Sequence, residues 1–373
     1  MINLDYASHT PVDEAVLAEF CRVERECHGN ALSIHSAGRE ALAEMERATV
    51  GIAALIGVKP SEIIYTSGAS EANNLAIKGI ARAYAYKGRH ILSTCLEHPS
   101  VSGTLSYLQE SGYEVELLKI LPNGKIDLSH LKAAIRPDTV LLCVSAVDSE
   151  LGAIQPLESI AKLISEYPNC HLHVDAAQAI GKIPVFTEGA STLCFSPHKF
   201  YGLGGFGVLV KREGVVLEPL IHGGGSLYRG GTPSPAMAAA CHKALDLALT
   251  NQNKRVAKAR QLHEYTLKCL QQYPLVRINS PIDGSPYILN LSIKGVKATN
   301  FTKMLYTHGV CVSIKSACST DNAPSRPVMA VTNDKKNAQS SWRISFSHLT
   351  EMPEIEAFMS IFEDCYNNLS STE

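Results

Sequence analysis

The chain has 373 residues, long for a single hydrophobic core, so one large and one smaller domain are expected. Hydrophobic residues make up 45% and charged residues 19% with a formal charge of −2, which argues against a disordered chain and against a basic nucleic-acid binder. No apolar run approaches the length of a membrane span, and the opening MINLDYASHTPVDEA carries no apolar signal core, so neither a membrane nor a nucleic-acid partner is expected and the expected location is cytoplasmic.

In chain order, residues 38–57 have helical spacing, with Ala41, Leu42, Met45, Ala48 and Ile52 on one face. A short strand follows from Glu62 to Thr66, then the small-residue turn Ser67-Gly68 and a helix from Ser70 to about Ala85. Strand-like runs recur at 90–94, 114–118, 139–145, 171–174, 192–196 and 207–210, with helical stretches between several of them. This βαβ rhythm predicts an α/β fold with a mostly parallel sheet covered by helices on both faces. A charged helical stretch spans 251–273, and beyond it the strands shorten to 287–293, 310–312 and 342–346. The expected organisation is a large α/β domain over 15–250 and a small α+β domain made of 1–14 and 251–373. The eleven cysteines are odd in number and form no CxxC pair, which argues against a disulfide framework or a cysteine-based metal site. No metal is expected.

Ligands of parallel sheets bind beyond the carboxyl ends of the strands, so the polar residues there carry the functional signal. Five clusters meet that condition. Ser67-Gly68-Ala69-Ser70-Glu71 offers backbone N–H groups and a hydroxyl suited to phosphate, or else a helix cap. His98 follows a strand, where a lone histidine is more often structural than functional. The run His171-Leu172-His173-Val174 ends in Asp175, with Gln178 one turn on; a buried carboxylate there needs a cationic partner, either a protonated ring nitrogen or an Arg or Lys. Ser196-Pro197-His198-Lys199 places a lysine in a small-residue turn, where it is either a Schiff-base nucleophile, if its surroundings lower its pKa, or a solvated charge. His222-Gly223-Gly224-Gly225 and Arg229-Gly230-Gly231-Thr232 could let backbone approach a phosphate or could form a mobile loop.

Taken in order, these residues resemble the cysteine desulfurases of the NifS/IscS type, within the class V aminotransferase group of fold-type I pyridoxal-phosphate (PLP) enzymes. The matching segments are LDYASHTP (4–11), GNALSIH (29–35), TSGASEANNLAIKG (66–79), EHPSV (97–101), HVDAAQ (173–178), FSPHK (195–199), HGGG (222–225), RGGT (229–232), SAC (316–318) and WRISFS (342–347). The resemblance implies that Lys199 carries PLP as a Schiff base, that His98 stacks on its ring, that Asp175 keeps its nitrogen protonated and that Gln178 meets its phenolic oxygen. It implies a phosphate site of Ser70 with neighbouring Ala69, Ser196 and His198, joined by Thr232 from the second subunit of a homodimer. Arg343 would clamp the carboxylate of L-cysteine with Asn30 beside it; taken alone it could be an edge-strand surface charge. Cys318 would take the sulfur as a persulfide and pass it to an acceptor protein, in iron–sulfur cluster assembly, tRNA thiolation or DNA sulfur modification.

The chain departs from the family pattern at four places. Ser149 stands in the cofactor site where an asparagine is usual, Lys315 replaces the glycine before SAC, His9 replaces a threonine, and the stretch between Gly225 and Arg229 is short and lacks a basic residue. Related PLP chemistry, as in a selenocysteine lyase or a small amino-acid aminotransferase, is the nearest alternative. A PLP-binding scaffold without turnover is the alternative from another class.

Overall fold

The computed structural model describes residues 1–315 and 323–369. Seven strands build the central sheet: β1 Ile63–Thr66, β2 His90–Ser93, β3 Glu114–Leu117, β4 Thr139–Ser145, β5 His171–Asp175, β6 Thr192–Phe195 and β7 Gly207–Lys211. They lie in the order β1-β7-β6-β5-β4-β2-β3. The neighbours from β6 to β3 pair in parallel, whereas β7 is antiparallel to both β1 and β6. Every residue of β2, β4, β6 and β7 is buried, which is why these strands read as near-continuous apolar runs.

Successive side chains of each strand enter different cores, as the two-residue repeat of a strand requires. Leu92, Leu142, Phe195 and Val208 pack towards α1 (Glu14–Glu26), α2 (Ser36–Ile56) and the helix Pro235–Thr250. Ile91, Leu141, Cys194 and Leu209 face the opposite way, into a core shared with α3 (Ala69–Ala83) and α4 (Pro99–Glu110). Each buried aliphatic side chain contributes about 1.5–3 kcal/mol.

A third core belongs to the C-terminal part of the chain. The strands Val276–Ile278 and Ser341–Ser345 flank Ile288–Ile293 in an antiparallel sheet, covered by the helices Gln252–Leu270, Ala298–Thr307 and Met352–Leu369. Trp342, Phe301, Phe358 and Phe362 fill it, and Leu4 joins them because Ile2–Asn3 pairs in parallel with Val310–Cys311. The strands Ile2–Asn3 and Val276–Ile278 were not expected from the sequence; two or three residues are too few to carry a periodicity. From that anchor, residues 5–10 cross to the carboxyl ends of the central strands. Among the described residues no helix is long and apolar enough to cross a membrane.

One glycine fixes how closely the sheet edge meets the turn after β1. Gly207 pairs with Thr66, and a Cβ on it would lie 2.5 Å from the Gly68 carbonyl carbon. Gly207→Ala should therefore destabilise the protein by about 1–3 kcal/mol through overpacking; an unchanged urea midpoint would contradict this account of the turn.

Candidate active site

A cleft of about 380 Å³ opens where the turns after β1, β2, β4, β5 and β6 meet the N-terminal segment. Its walls bring together Lys199, His98, Asp175, Gln178 and Arg343, with Ala69, Ser70, Ser149 and His198 around them.

Asp175 closes β5 and is buried. Its Oδ2 accepts from Asn73 Nδ2 at 2.8 Å and its Oδ1 from the Ala177 N–H at 3.0 Å. Asn73 is itself 0% exposed, with Nδ2 also donating to Ser100 Oγ and Oδ1 bonded to His173 Nε2 and the Cys194 thiol. Among the described residues no Lys, Arg or His lies within ion-pair distance of Asp175, so the Arg or Lys partner considered from the sequence is not there. Sequence reasoning missed Asn73. Its signal was an amide on the face of α3 that carries Ala72, Ala76 and Ile80, a place where a polar side chain must be satisfied internally.

Lys199 ends a short 3₁₀ turn, Pro197–Lys199, directly after β6. Its Nζ donates to the carbonyls of Ala7 and Ser8 at 2.9 and 2.7 Å. The turn is held on both sides: Thr10 Oγ1 donates to the His198 carbonyl, and the Tyr201 N–H donates back to Thr10 Oγ1. Tyr201 has φ +70°, a left-handed conformation that costs a non-glycine residue about 1–2 kcal/mol and persists because these contacts enforce it.

His98 caps α4. Its Nδ1 accepts from the Ser100 N–H at 3.1 Å, which places the ring proton on Nε2. Burial holds its pKa below the ordinary histidine value, with Asp175 pulling the other way. Glu97, the residue before it, anchors the turn by accepting from Thr94 and Ser145, and burial pushes its carboxyl up to about 7.

The end of the cleft expected to take a phosphate differs from expectation in one residue. The α3 N-terminus has no side-chain cap and Gly68 occupies the cap position, so Ser70 is not the cap but an exposed first-turn residue on the cleft wall. Ser196, by contrast, is 1% exposed and does not line the cleft. Its hydroxyl donates to the Phe206 carbonyl at 2.6 Å and so receives the Nδ1 proton of His198 at 2.8 Å, which makes Ser196 a support for His198 rather than a cleft wall. Burial lowers the His198 pKa to about 4, with Lys199 adding to the effect, and His9 stacks on its ring at 5.4 Å. Arg229 bonds to Glu71 at 3.0 Å, which ties the glycine-rich 222–231 loop to the same turn.

Arg343 is 2% exposed, which removes the surface-charge alternative. Its guanidinium donates to Asp5 at 2.8 Å, to Ser8 Oγ at 2.9 Å and to the Ser149 carbonyl at 2.6 Å, while its buried Nε–H has no acceptor among the described residues. Gln178 donates to the Ala7 carbonyl at 2.8 Å.

Two further expected residues are not brought to this cleft. Asn30 is exposed between α1 and α2, where its Oδ1 accepts from the Leu32 N–H. Thr232 is exposed beyond the glycine-rich loop and does not line the cleft of its own chain. Cys318 lies outside the described residues. Lys315 donates from Nζ to the Ala323 carbonyl.

The sequence profile of the family described as Aminotransferase class-V matches residues 2–358. A NifS/IcsS protein homolog of Lactobacillus delbrueckii subsp. bulgaricus is 34% identical, with 99% of this chain and 98% of that protein covered. The cysteine desulfurase IscS of Neisseria meningitidis serogroup C is 37% identical, with 95% and 89% covered. Among solved structures, a NifS-like protein superposes with a TM-score of 0.92 at 30% identity and 99% coverage of both chains.

Asn73→Ala should expose the dependence of Asp175 on its amide. It leaves one oxygen of Asp175 and one nitrogen of His173 without their partners, at a cost of about 1–3 kcal/mol for each stranded group. Urea unfolding checks this, and a loss below about 1 kcal/mol would show that Asn73 is dispensable.

Proposed function

Because the chain belongs to the class-V aminotransferase family, we propose that it is a cysteine desulfurase that binds PLP on Lys199, converts L-cysteine to L-alanine and leaves the sulfur on Cys318. The observation that carries this reading is Asp175, a buried carboxylate with neutral donors around it and no cation beside it among the described residues. A pyridinium N–H is the positive partner such a group lacks, so the residues present fit the cofactor.

When bound, PLP supplies an electron sink for charge developing at the substrate Cα. Lys199, gripped by the Ala7 and Ser8 carbonyls, would carry the cofactor and later move the proton at that carbon. His98, with Nδ1 engaged by Ser100, has its ring orientation set for stacking. The first-turn N–H groups of α3, the Ser70 hydroxyl and His198 would hold the phosphate, with Ser196 steadying His198 from behind. Gln178 would meet the phenolic oxygen, where the shorter Ser149 reaches less far than the usual asparagine.

Arg343 would bind the substrate carboxylate, to which its unmatched Nε–H is suited. The Cys318 thiolate would then attack the substrate sulfur. The carbon–sulfur bond breaks, its electron pair stays with carbon and is protonated to give alanine, and the persulfide left on Cys318 serves an acceptor protein. A cytoplasmic homodimer is the form we propose, in which the exposed Thr232 completes the partner's phosphate site.

Purified protein supplied with PLP, L-cysteine and a thiol should release alanine and sulfide. Cys318→Ala should bring alanine release to background and leave cofactor uptake intact. Unchanged release in that variant would overturn sulfur transfer through Cys318, and no release by the unaltered protein would overturn the activity itself.

A further inference from the structure

Lys182 sits one turn beyond Gln178, and no role assigned above uses it. It is 7% exposed, and its Nζ donates to Gln178 Oε1 at 2.7 Å. Among the described residues it forms no ion pair. Its Nζ lies 6.0 Å from the Tyr287 ring centroid, beside a void of about 10 Å³ walled by Tyr6, Tyr201, Arg255, Tyr287 and His348, room for about one water. Arg255 shares the wall of that void with it, and Lys199 and Arg343 are near enough to repel its charge. Burial, followed by those two charges, holds its pKa well below the ordinary lysine value. A buried amine without a carboxylate partner is costly to keep, which directs attention to the one side-chain hydrogen bond it makes among the described residues.

That bond decides how Gln178 presents itself. The two ends of a glutamine amide have nearly the same shape, so their neighbours determine which end faces where. Gln178 Nε2 donates to the Ala7 carbonyl, the same oxygen that accepts from Lys199 Nζ. Oε1 is held by Lys182, a residue outside the cleft. With the carbonyl end pinned there and one Nε2 hydrogen on Ala7, the second Nε2 hydrogen is left for the cleft that Gln178 lines.

We propose that Lys182 is a positioning residue: by fixing the Gln178 carbonyl, it keeps an N–H donor rather than an oxygen lone pair facing the phenolic oxygen of PLP. This rests on the reading above, in which PLP is held on Lys199. A donor at that oxygen stabilises its deprotonated form and lowers the proton affinity of the bound chromophore. A carbonyl oxygen turned to the same point raises it.

The test is a pH titration of the visible absorbance of PLP-loaded protein, compared among the unaltered chain, Lys182→Met, Gln178→Met and the double variant, with melting temperatures alongside. Methionine keeps the chain length and removes a buried amine, a change that cores accept readily. Lys182→Met and Gln178→Met should each raise the absorbance midpoint by about one pH unit, tenfold in proton affinity. The double variant should shift no further than Gln178→Met alone, because both changes act through one amide. Lys182→Gln retains a donor for Oε1 and should titrate closer to the unaltered protein, and it carries the test if Lys182→Met does not fold. An unshifted Lys182→Met overturns the proposal, and so does an additive double variant. Failure of the unaltered protein to take up colour overturns the cofactor reading first, an outcome visible before any variant is compared.

Discussion

The site is organised around a carboxyl group that the protein buries without an ion-pair partner among the described residues. Asp175 sits at the end of a central strand with an amide on one oxygen and a backbone N–H on the other. Taking a charge out of water costs several kcal/mol unless a partner compensates, and two neutral hydrogen bonds compensate only in part. The rest of the arrangement follows from this unfinished electrostatics. Asn73 must be buried to reach Asp175, α3 must lie across the sheet to carry Asn73, and the turn before α3 must then open at the strand ends, where the phosphate would sit. A network through Ser100 links the same amide to His98, so His98 and Asp175 share one support.

The N-terminal segment joins the two halves of the chemistry. It starts as a strand beside Val310–Cys311, bridges Ser345 through Asp5, and ends with its Ala7 and Ser8 carbonyls on Lys199. Asp5 and Ser8 also hold Arg343. The lysine offered by the central sheet and the arginine offered by the C-terminal sheet are thus set by a few consecutive residues. Loosening that strand pairing would displace both at once. Ser149 adds a third tie, since its backbone carbonyl, not its side chain, receives Arg343.

Much of this was legible in the chain because strand-end position and residue type coincide. Long apolar runs marked the sheet, and the polar residues directly after them are those that line the cleft: Ser70, His98, Asp175, Gln178, His198 and Lys199. What escaped notice was whatever depends on contacts distant in sequence. Asn73 was quoted within a motif, but its bond to a residue 102 positions away leaves no local trace. Lys182 reads as an ordinary solvated lysine, and only three-dimensional packing buries it. Ser196 was expected at the phosphate and instead backs His198, because the Phe206 carbonyl draws its hydroxyl inward.

The departures from the family pattern fall around the edges of the site and leave its centre intact. His9 stacks on His198, and Ser149 lines the cleft. Neither alters Asp175 or Lys199, on which the proposed cofactor binding rests. The most direct measurement is to incubate the purified protein with PLP, reduce it with borohydride and map the modified peptide by mass. The account predicts a single pyridoxyl group on Lys199, diminished when Asp175 is replaced by alanine. Absence of any adduct, or an adduct on Lys182 in place of Lys199, would contradict it.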